Sequence, residues 1–410
     1  HTLVPPEKPK CTWISGDFGS GKSHLLKILS YVLENKYEID GKPCAEIFAS
    51  KAEDFELRGD IQKACRIPTE SVLFNIQEKL DATTKSTIDP VLNIFVKEFN
   101  RKMGYDDKKP EIAEIERYFD NKGKYEFFKE EYQKRFGETW ENGRKSILLK
   151  LQRVAEIMAE IDGIPQATAF DNIKAQIANY KIDTDGFVAL IKEHLDKQQP
   201  GSRFIFFVDE VGQFIGKDVH RMLSLQTIAE GLSDKTNGQS IVIVTSQMDI
   251  DATLGNLDKQ QEYDFSRIQG RFDTRISLTS ANADEVIQRR LLEKEEEPQQ
   301  MLCEVYQKEN HIIKSLFNFG DNSQFKSNYK NDQQFAIDFP FIDYQFNLVQ
   351  SCIIELSKNN AFSGKQQSVG ERSLLTITQE VAKIYAHQDL DHIVQFCDMY
   401  EGLRGVLQTK

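Results

Sequence analysis

Residues 16–23 read Gly-Asp-Phe-Gly-Ser-Gly-Lys-Ser, a spacing of glycine, lysine and hydroxyl groups that suits the binding of a polyphosphate. Glycine at 16 and 21 lets the backbone curl around phosphate oxygens and aim N–H groups inward, where a side chain would obstruct. Lys22 would place its ammonium against the β- and γ-phosphates, and Ser23 would ligate Mg²⁺. The pattern predicts a P-loop that binds ATP and Mg²⁺. The predicted nucleotide-binding residues are Gly16, Asp17, Phe18, Gly19, Ser20, Gly21, Lys22, Ser23 and His24.

A second motif carries the carboxylates that hydrolysis of ATP would need. The apolar run 204–208 ends at Asp209 and Glu210, and α/β sheets bind ligands at the carboxyl ends of their strands. Asp209 is predicted to hold Mg²⁺, mostly through water, and Glu210 to polarise the attacking water. The alternative is an exposed acidic strand end without a catalytic role.

Polar and basic residues further along the chain could sense or neutralise the γ-phosphate. The buried run 241–244 leads to Ser246 and Gln247, and Gln247, or else Ser246, is predicted to orient water, although polar residues terminate most buried strands. Arg271, with Arg267 as second choice, is predicted to reach the nucleotide of a neighbouring subunit, because planar guanidinium donors neutralise transition-state charge. A salt-bridged surface is the alternative role for these arginines.

Arg372 and His24 are two further residues whose positions in the sequence suggest a role. Arg372 precedes the apolar Leu374 at a predicted helix start, and it could face the nucleotide as a second sensor on a lid. His24 follows the P-loop directly, and a packing or capping role is favoured over that of a base.

The elements that would position these residues alternate between strands and helices. Apolar, β-branched or aromatic runs followed by polar residues predict strands at 11–15, 71–76, 203–208, 240–245 and 274–278. Helical spacing of apolar residues predicts helices at 22–34, 125–136, 147–161 and from 283 onward. This alternation predicts an α/β fold with a parallel sheet. The two motifs further indicate that the predicted fold is that of a P-loop NTPase.

Composition changes along the chain divide it into four predicted regions. Residues 1–88 are the first part of the ATPase core, and 89–200, rich in Lys, Glu and aromatic residues, are a helical insertion. Residues 201–280 complete the core with the Walker B carboxylates, the sensor and the arginine finger. Residues 281–410 form a helical lid region with a flexible connection near 319–334, where Asn, Gln, Ser, Asp and Lys dominate.

The net charge and the length of the apolar runs limit the classes of partner that we expect this chain to bind. The net charge of −12 opposes attraction of the whole surface to DNA, RNA or an anionic membrane, so a nucleic-acid contact must be a local patch. Residues 97–109, with Phe99 and Tyr105, are one candidate patch, although a solvated helix face is favoured. The longest apolar runs fall far short of the roughly 20 residues that cross a bilayer, so no membrane partner is expected.

Cysteine usage and the first residue bear on the cellular setting. The six cysteines show no C-x-x-C pair and no nearby histidine arrangement that would suggest zinc, and they are interpreted as buried thiols in a reducing cytoplasm. The chain begins with His1, so a fragment of a longer protein is expected.

Several stretches of the chain together resemble BrxC, the family of P-loop ATPases of the BREX bacteriophage-exclusion systems. The run Asp-Glu-Val-Gly-Gln-Phe-Ile-Gly at 209–216 is the most specific part, because few ATPases share it. The other matching stretches are 13–24, 244–247, 268–272, 280–287 and 369–373. The chain would correspond to the N-terminal ATPase portion of the family.

The resemblance implies an AAA+ ATPase of the origin-recognition type, and it strengthens the roles of Arg271 as finger and Arg372 as lid sensor. The expected function is Mg²⁺-dependent ATP hydrolysis that assembles or remodels an anti-phage complex on DNA. A homo-oligomer, other BREX proteins and a local DNA contact are the implied partners. Two alternatives stay open: a nucleotide-gated scaffold with slow turnover, and a DNA-loading ATPase.

Overall fold

A computed structural model describes residues 11–16, 20–80, 89–215, 218–246, 272, 274–278, 283–316, 329–358, 370–388 and 392–401. The chain folds as two compact units, the first comprising residues 1–15 and 23–276 and the second comprising 16–22 and 277–410. Among the described helices, none combines the length and the apolar character needed to cross a membrane. All six cysteines are free thiols.

A five-stranded parallel sheet organises the first unit. Its order is β4-β5-β6-β1-β7, so β5, β6 and β1 each have neighbours on both sides. β5 and β6 are buried and mostly apolar, as expected of central parallel strands. The strands are β1 (Thr12–Gly16), β4 (Thr69–Asn75), β5 (Arg203–Asp209), β6 (Ser240–Ser246) and β7 (Thr274–Leu278), and a separate hairpin pairs β2 (Glu38–Ile39) with β3 (Lys42–Pro43).

The helices that precede β7 in the chain surround this sheet or extend from it. They are α1 (Lys22–Glu34), α2 (Cys44–Ser50), α3 (Phe55–Arg66), α4 (Pro90–Met103), α5 (Pro110–Asn121), α6 (Tyr125–Phe136), α7 (Trp140–Gly143), α8 (Leu151–Asp162), α9 (Gln166–Ala178), α10 (Thr184–Asp196), α11 (Val211–Ile215) and α12 (Val219–Lys235). The Asp89 carboxylate caps α4 by accepting the Leu92 N–H, and α4 stops at Gly104, whose φ of 80° suits glycine.

Aromatic side chains join α4 and α10 to the sheet. The ring of Phe95 on α4 lies 5.1 Å from Phe206 and 5.5 Å from Phe74, centroid to centroid. Phe187 on α10 lies 5.9 Å from Phe206. Such edge and tilted contacts add to the hydrophobic stabilisation from burying these rings. The two helices at the ends of 89–200, α4 and α10, therefore pack directly against the sheet.

The helices between them, α5 to α9, enclose a separate aromatic core. Phe119 stacks on Phe128 with ring centroids 4.3 Å apart, and Trp140 meets Phe128 edge-on at 4.8 Å. All three rings are buried. The residues 89–200 thus hold two kinds of helix, and the predicted domain boundaries at 88 and 200 remain a prediction.

A buried carboxylate lies at the centre of this aromatic core. Glu116 is fully buried and accepts hydrogen bonds from Trp140 Nε1 at 2.6 Å, Tyr125 Oη at 2.8 Å and Arg144 Nη1 at 2.8 Å. Its other oxygen accepts the backbone N–H of Asp106. A buried charge is tolerated where such donors surround it.

We expect Glu116→Ala to lower the free energy of unfolding by ~3–5 kcal/mol, because it strands the Arg144 charge and two aromatic donors. Glu116→Gln keeps the shape and is expected to lose less. Urea unfolding followed by tryptophan fluorescence measures both. Equal stability of Glu116→Ala and the wild type would contradict a stabilising role for this carboxylate.

The second unit is helical after β7. Its helices are α13 (Ala283–Arg290), α14 (Glu296–Leu316), α15 (Asp332–Asp338), α16 (Asp343–Lys358) and α17 (Gly370–Tyr385). One core gathers Ile287, Leu292 and Phe346. Another gathers Leu302, Phe335 and Ile342. Two apolar cores therefore lie within this one unit.

Two sequence predictions need correction. The single helix expected at 147–161 is a 3-10 helix at Arg144–Leu149 followed by α8, with Lys150 in a non-helical conformation between them. The irregular connection predicted near 319–334 ends earlier, because Tyr329 is buried and α15 starts at Asp332. Residues 319–328 lie outside the described part.

Candidate nucleotide site

The strands of the first unit end along one edge of the sheet with polar residues. Parallel register aligns Asn75 of β4 with Asp209 of β5, and Ser15 of β1 with Ser246 of β6. Val208 is likewise aligned with Val244, one residue before Thr245. Since carboxyl ends of parallel strands are where α/β sheets bind ligands, these residues form the candidate site in the first unit.

Asp209 and Glu210 are held together by the hydroxyl of Thr245. The Thr245 hydroxyl donates to Asp209 Oδ1 and accepts the Glu210 N–H at 3.1 Å. The same N–H also lies 3.1 Å from Asp209 Oδ1. Glu210 has a φ of 60°, a left-handed conformation that a non-glycine residue keeps only where its surroundings hold it. Thr245 is fully buried and supplies part of that restraint.

Asn75 restrains the carboxylate of Glu210 from the neighbouring strand. Its Nδ2 donates to Glu210 Oε2 at 2.6 Å. Its Oδ1 accepts the backbone N–H groups of Gln77 at 3.0 Å and Glu78 at 3.4 Å. Because backbone N–H groups can only donate, they fix which end of the amide is oxygen. The amide therefore presents its NH₂ group to Glu210.

Each carboxylate keeps one oxygen without a hydrogen bond from the described part of the chain. Asp209 Oδ1 and Glu210 Oε2 receive the donors named above, whereas Asp209 Oδ2 and Glu210 Oε1 receive none from those residues. Both residues are half-buried. Two oriented carboxylates with accessible oxygens are suited to hold a hydrated cation and to accept a proton or hydrogen bond from water.

Gly212 lets the short helix α11 approach the end of β6. A Cβ atom added at Gly212 would lie 2.0 Å from Ser246 Oγ and 3.0 Å from Ser246 Cβ. Ser246 is buried. No side chain fits between them, so glycine is required by space at this position.

We expect Gly212→Ala to lower the free energy of unfolding by ~1–3 kcal/mol, because the new methyl group overlaps the Ser246 hydroxyl. The double variant Gly212→Ala with Ser246→Ala removes the closest atom and should recover part of the loss. Thermal unfolding of Gly212→Ala, of Ser246→Ala and of the double variant, each compared with the wild type, gives a double-mutant cycle. Purely additive effects would contradict the contact.

The predicted P-loop belongs to the second unit where the structure describes it. Lys22 Nζ donates to the Gly16 carbonyl at 2.7 Å and lies 3.5 Å from Ser20 Oγ. A Cβ added at Gly16 would lie 2.3 Å from the Leu278 carbonyl and 2.6 Å from Ser20 Oγ. Gly21 has a φ of 82°. The sequence prediction that both glycines are needed thus has a steric reason at 16 and a conformational one at 21.

Ser23 and His24 lie in the first turn of α1 and are exposed. Of the packing or capping role expected for His24, its exposure disfavours packing, and the capping role stays a prediction. Asp17, Phe18, Gly19, Gln247, Arg267 and Arg271 lie outside the described residues. Arg372 lies in the first turn of α17, as predicted, and its side chain is outside the described part.

The candidate nucleic-acid patch at 97–109 is not built for stacking. Phe99 and Tyr105 are buried, at 2% and 6% exposure, so neither ring offers a face to a base. Arg101 bonds Glu98 and Asp107 with N–O distances of 2.5 Å. The favoured interpretation of a solvated, internally paired helix face fits these contacts.

Two residues of the site were missed by sequence reasoning. Asn75 ends a strand that is 135 positions from Glu210, and only the strand register brings them together. Thr245 was passed over for Ser246 and Gln247, although it is Thr245 that bonds both Asp209 and Glu210. A usable signal was the polar residue ending each buried strand.

Comparison with known proteins does not assign the chain to a family. No protein-family model matches the chain. No solved structure matches it significantly either.

Proposed function

We propose that this chain is a Mg²⁺-dependent ATPase of the P-loop NTPase fold. The observation that carries the proposal is the pair Asp209 and Glu210 at the sheet edge, each fixed by named hydrogen bonds and each with one accessible oxygen. Non-glycine residues held in such strained backbone conformations cluster at functional sites.

The residues of the glycine loop fit a polyphosphate. The Lys22 ammonium is buried and turned back over the loop towards the Gly16 carbonyl, a neutral acceptor that phosphate oxygens would outcompete. Ser23 and the N-terminus of α1 follow directly, so a helix dipole and a hydroxyl adjoin the loop. Bound Mg²⁺ would supply charge neutralisation at the β- and γ-phosphates.

The chain's own groups divide the remaining work. Lys22 and the loop N–H groups would bind the phosphates, and Ser23 and Asp209 would hold the metal, Asp209 mostly through water. Glu210 would accept a hydrogen bond from water through Oε1 and hold that water for in-line attack on the γ-phosphate. Gln247 or Ser246 would orient the same water, and Arg271, Arg267 and Arg372 would absorb transition-state charge.

The resemblance to BrxC supports a role in a cytoplasmic anti-phage complex on DNA. Turnover would drive assembly or remodelling of that complex, with Arg271 supplied by a neighbouring copy of the chain. Partners would then include other BREX proteins and a local stretch of DNA. A DNA-loading ATPase of the origin-recognition type predicts ATP-dependent, salt-sensitive DNA binding despite the acidic net charge.

The first experiment measures ATP hydrolysis by the purified chain against protein concentration, with and without duplex DNA. We expect specific activity to rise with concentration and to be lost in Lys22→Ala and Arg271→Ala. Lys22→Ala should also lose ATP binding, whereas Arg271→Ala should retain it. Intact ATP binding without any turnover would overturn the hydrolase proposal.

A nucleotide-gated scaffold is the second candidate, favoured by the bond from Asn75. That bond occupies one oxygen of Glu210, as expected if the carboxylate is restrained until a partner binds. Glu210→Gln separates the two functions, because a scaffold keeps or strengthens its ATP-dependent assembly in this variant. Assembly measured by light scattering with and without ATP decides between them.

A further inference from the structure

Lys294 in the second unit makes an unusual set of contacts for a lysine. It lies between α13 and α14, and its Nζ donates to the Leu292 carbonyl at 2.7 Å and the Ile337 carbonyl at 3.0 Å. Among the described residues, no carboxylate lies within ion-pair distance of this ammonium. Two neutral acceptors replace the anionic partner that a partly buried ammonium usually has.

The two carbonyls belong to different parts of the unit. Leu292 is in the core that contains Ile287 and Phe346. Ile337 follows Ala336, which is in the core that contains Leu302 and Phe335. The Lys294 amine is therefore a polar tie between the segment after α13 and α15.

A cavity gives access to this tie. Lys294 lines a space of about 530 Å³ together with the polar residues Gln288, Arg289, Glu293 and Gln299. The cavity is partly open, so a small solute can reach its wall. Pockets that take drug-sized ligands have volumes of about 300–1,000 Å³, so a small acyl donor fits without rearrangement.

Burial favours the neutral form of the Lys294 amine, whereas the nearby carboxylate of Asp338 favours the charged form. Burial lowers the pKa of Lys294 to about 8, and the carboxylate of Asp338 offsets part of that shift. Asp338 is itself fully buried and accepts Gln288 Nε2 at 2.6 Å and Gln334 Nε2 at 2.8 Å. Arg289 and Glu293 line the cavity with opposite charges. Near pH 8, about half of the Lys294 amines would be uncharged nucleophiles.

We propose that Lys294 is an acylation site of this chain, modified from the cavity by small acyl phosphates. In this step the neutral Nζ attacks the carbonyl carbon, an N–C bond forms, and the bond from that carbon to the phosphate oxygen breaks. Phosphate leaves with the electron pair, and the amine nitrogen releases one proton to water. The product is an amide with one N–H and no charge.

Acylation would weaken the tie between α13 and α15. The amide nitrogen has a single hydrogen, so it can donate to the Leu292 carbonyl or to the Ile337 carbonyl and not to both. One part-buried carbonyl then lacks the donor that Lys294 supplied, which destabilises the fold locally. The modification would therefore loosen the second unit in response to acyl phosphate.

The test incubates the full chain with acetyl phosphate and follows each lysine by quantitative mass spectrometry between pH 7 and pH 9. We expect Lys294 to be acetylated about tenfold faster than Lys308, an exposed lysine on α14, because burial keeps part of the Lys294 amine uncharged and the cavity gives acetyl phosphate access to it. The rate at Lys294 should rise from pH 7 and level off towards pH 9, because its pKa is lowered to about 8. Acetylation of Lys294 at or below the rate of Lys308 would overturn the proposal.

Thermal unfolding provides the second readout and the control. Acetyl phosphate should lower the melting temperature of the wild type, whereas Lys294→Met, which has no amine to modify, should show no further decrease on treatment. An equal decrease in both would mean that other lysines carry the effect and would overturn the structural consequence. Neither measurement depends on ATP hydrolysis, so the outcome is independent of the proposed function.

Discussion

Glu210→Gln is expected to slow ATP hydrolysis by about 10²–10⁴-fold, the usual contribution of a positioned base. Glutamine has the same shape as glutamate, and its Oε1 can still accept the hydrogen bond that Asn75 Nδ2 donates at 2.6 Å in the wild type. The geometry of the site should therefore survive while the carboxylate is lost. Single-turnover hydrolysis and ATP affinity, measured on the same preparation, test this.

The matched control is Glu98→Gln, a buried glutamate on α4 that bonds Arg101 and Lys79 and has no part in the site. We expect it to keep the wild-type rate of hydrolysis. Retained turnover in Glu210→Gln, or weakened ATP binding together with the lost rate, would show that Glu210 acts as something other than a base.

Thr245→Val is the second large effect that we expect. Valine keeps the shape of threonine but removes the hydroxyl that donates to Asp209 and accepts the Glu210 N–H. The left-handed backbone at Glu210 would lose one of its restraints. We expect hydrolysis to fall by about 10- to 100-fold, as for a slight misplacement of a reacting group, and the free energy of unfolding to fall by ~1–2 kcal/mol.

Thr245→Ser separates the hydroxyl from the packing of the methyl group. Serine keeps both hydrogen bonds and leaves a small gap, so it should keep most of the rate while losing some stability. If Thr245→Ser lost as much activity as Thr245→Val, packing rather than hydrogen bonding would position Glu210. Rates from the two variants, each normalised to the folded fraction, give the answer.

The strands could be predicted from sequence because they are short runs rich in apolar, β-branched or aromatic residues, although β7 is largely exposed. The predicted ranges 203–208 and 240–245 each lie one residue short of β5 and β6, and 274–278 coincides with β7. The hydrophobic periodicity and the composition of a strand are local properties of the chain, so they can be read from a single sequence. The hairpin of β2 and β3 escaped because each strand has two residues, too few to show a period.

The hydrogen bonds of the site could not be predicted, because they depend on register between distant strands. The sequence places Asp209 and Glu210 at a strand end, but not Asn75 beside them. The choice among Thr245, Ser246 and Gln247 depends on which side chain of the strand faces Asp209, and a run buried on both faces has no alternation to reveal it. The left-handed φ of Glu210 has no sequence signature in a residue other than glycine.

The aromatic core of α5 to α9 has a consequence for how such chains can diverge. The rings that cover the sheet belong to α4 and α10, while Phe119, Phe128 and Trp140 pack with one another. We expect relatives to gain, lose or exchange helices between residues 104 and 183 without altering the sheet edge that carries Asp209. Variation in that interval would then change what the chain contacts while its chemistry is inherited unchanged.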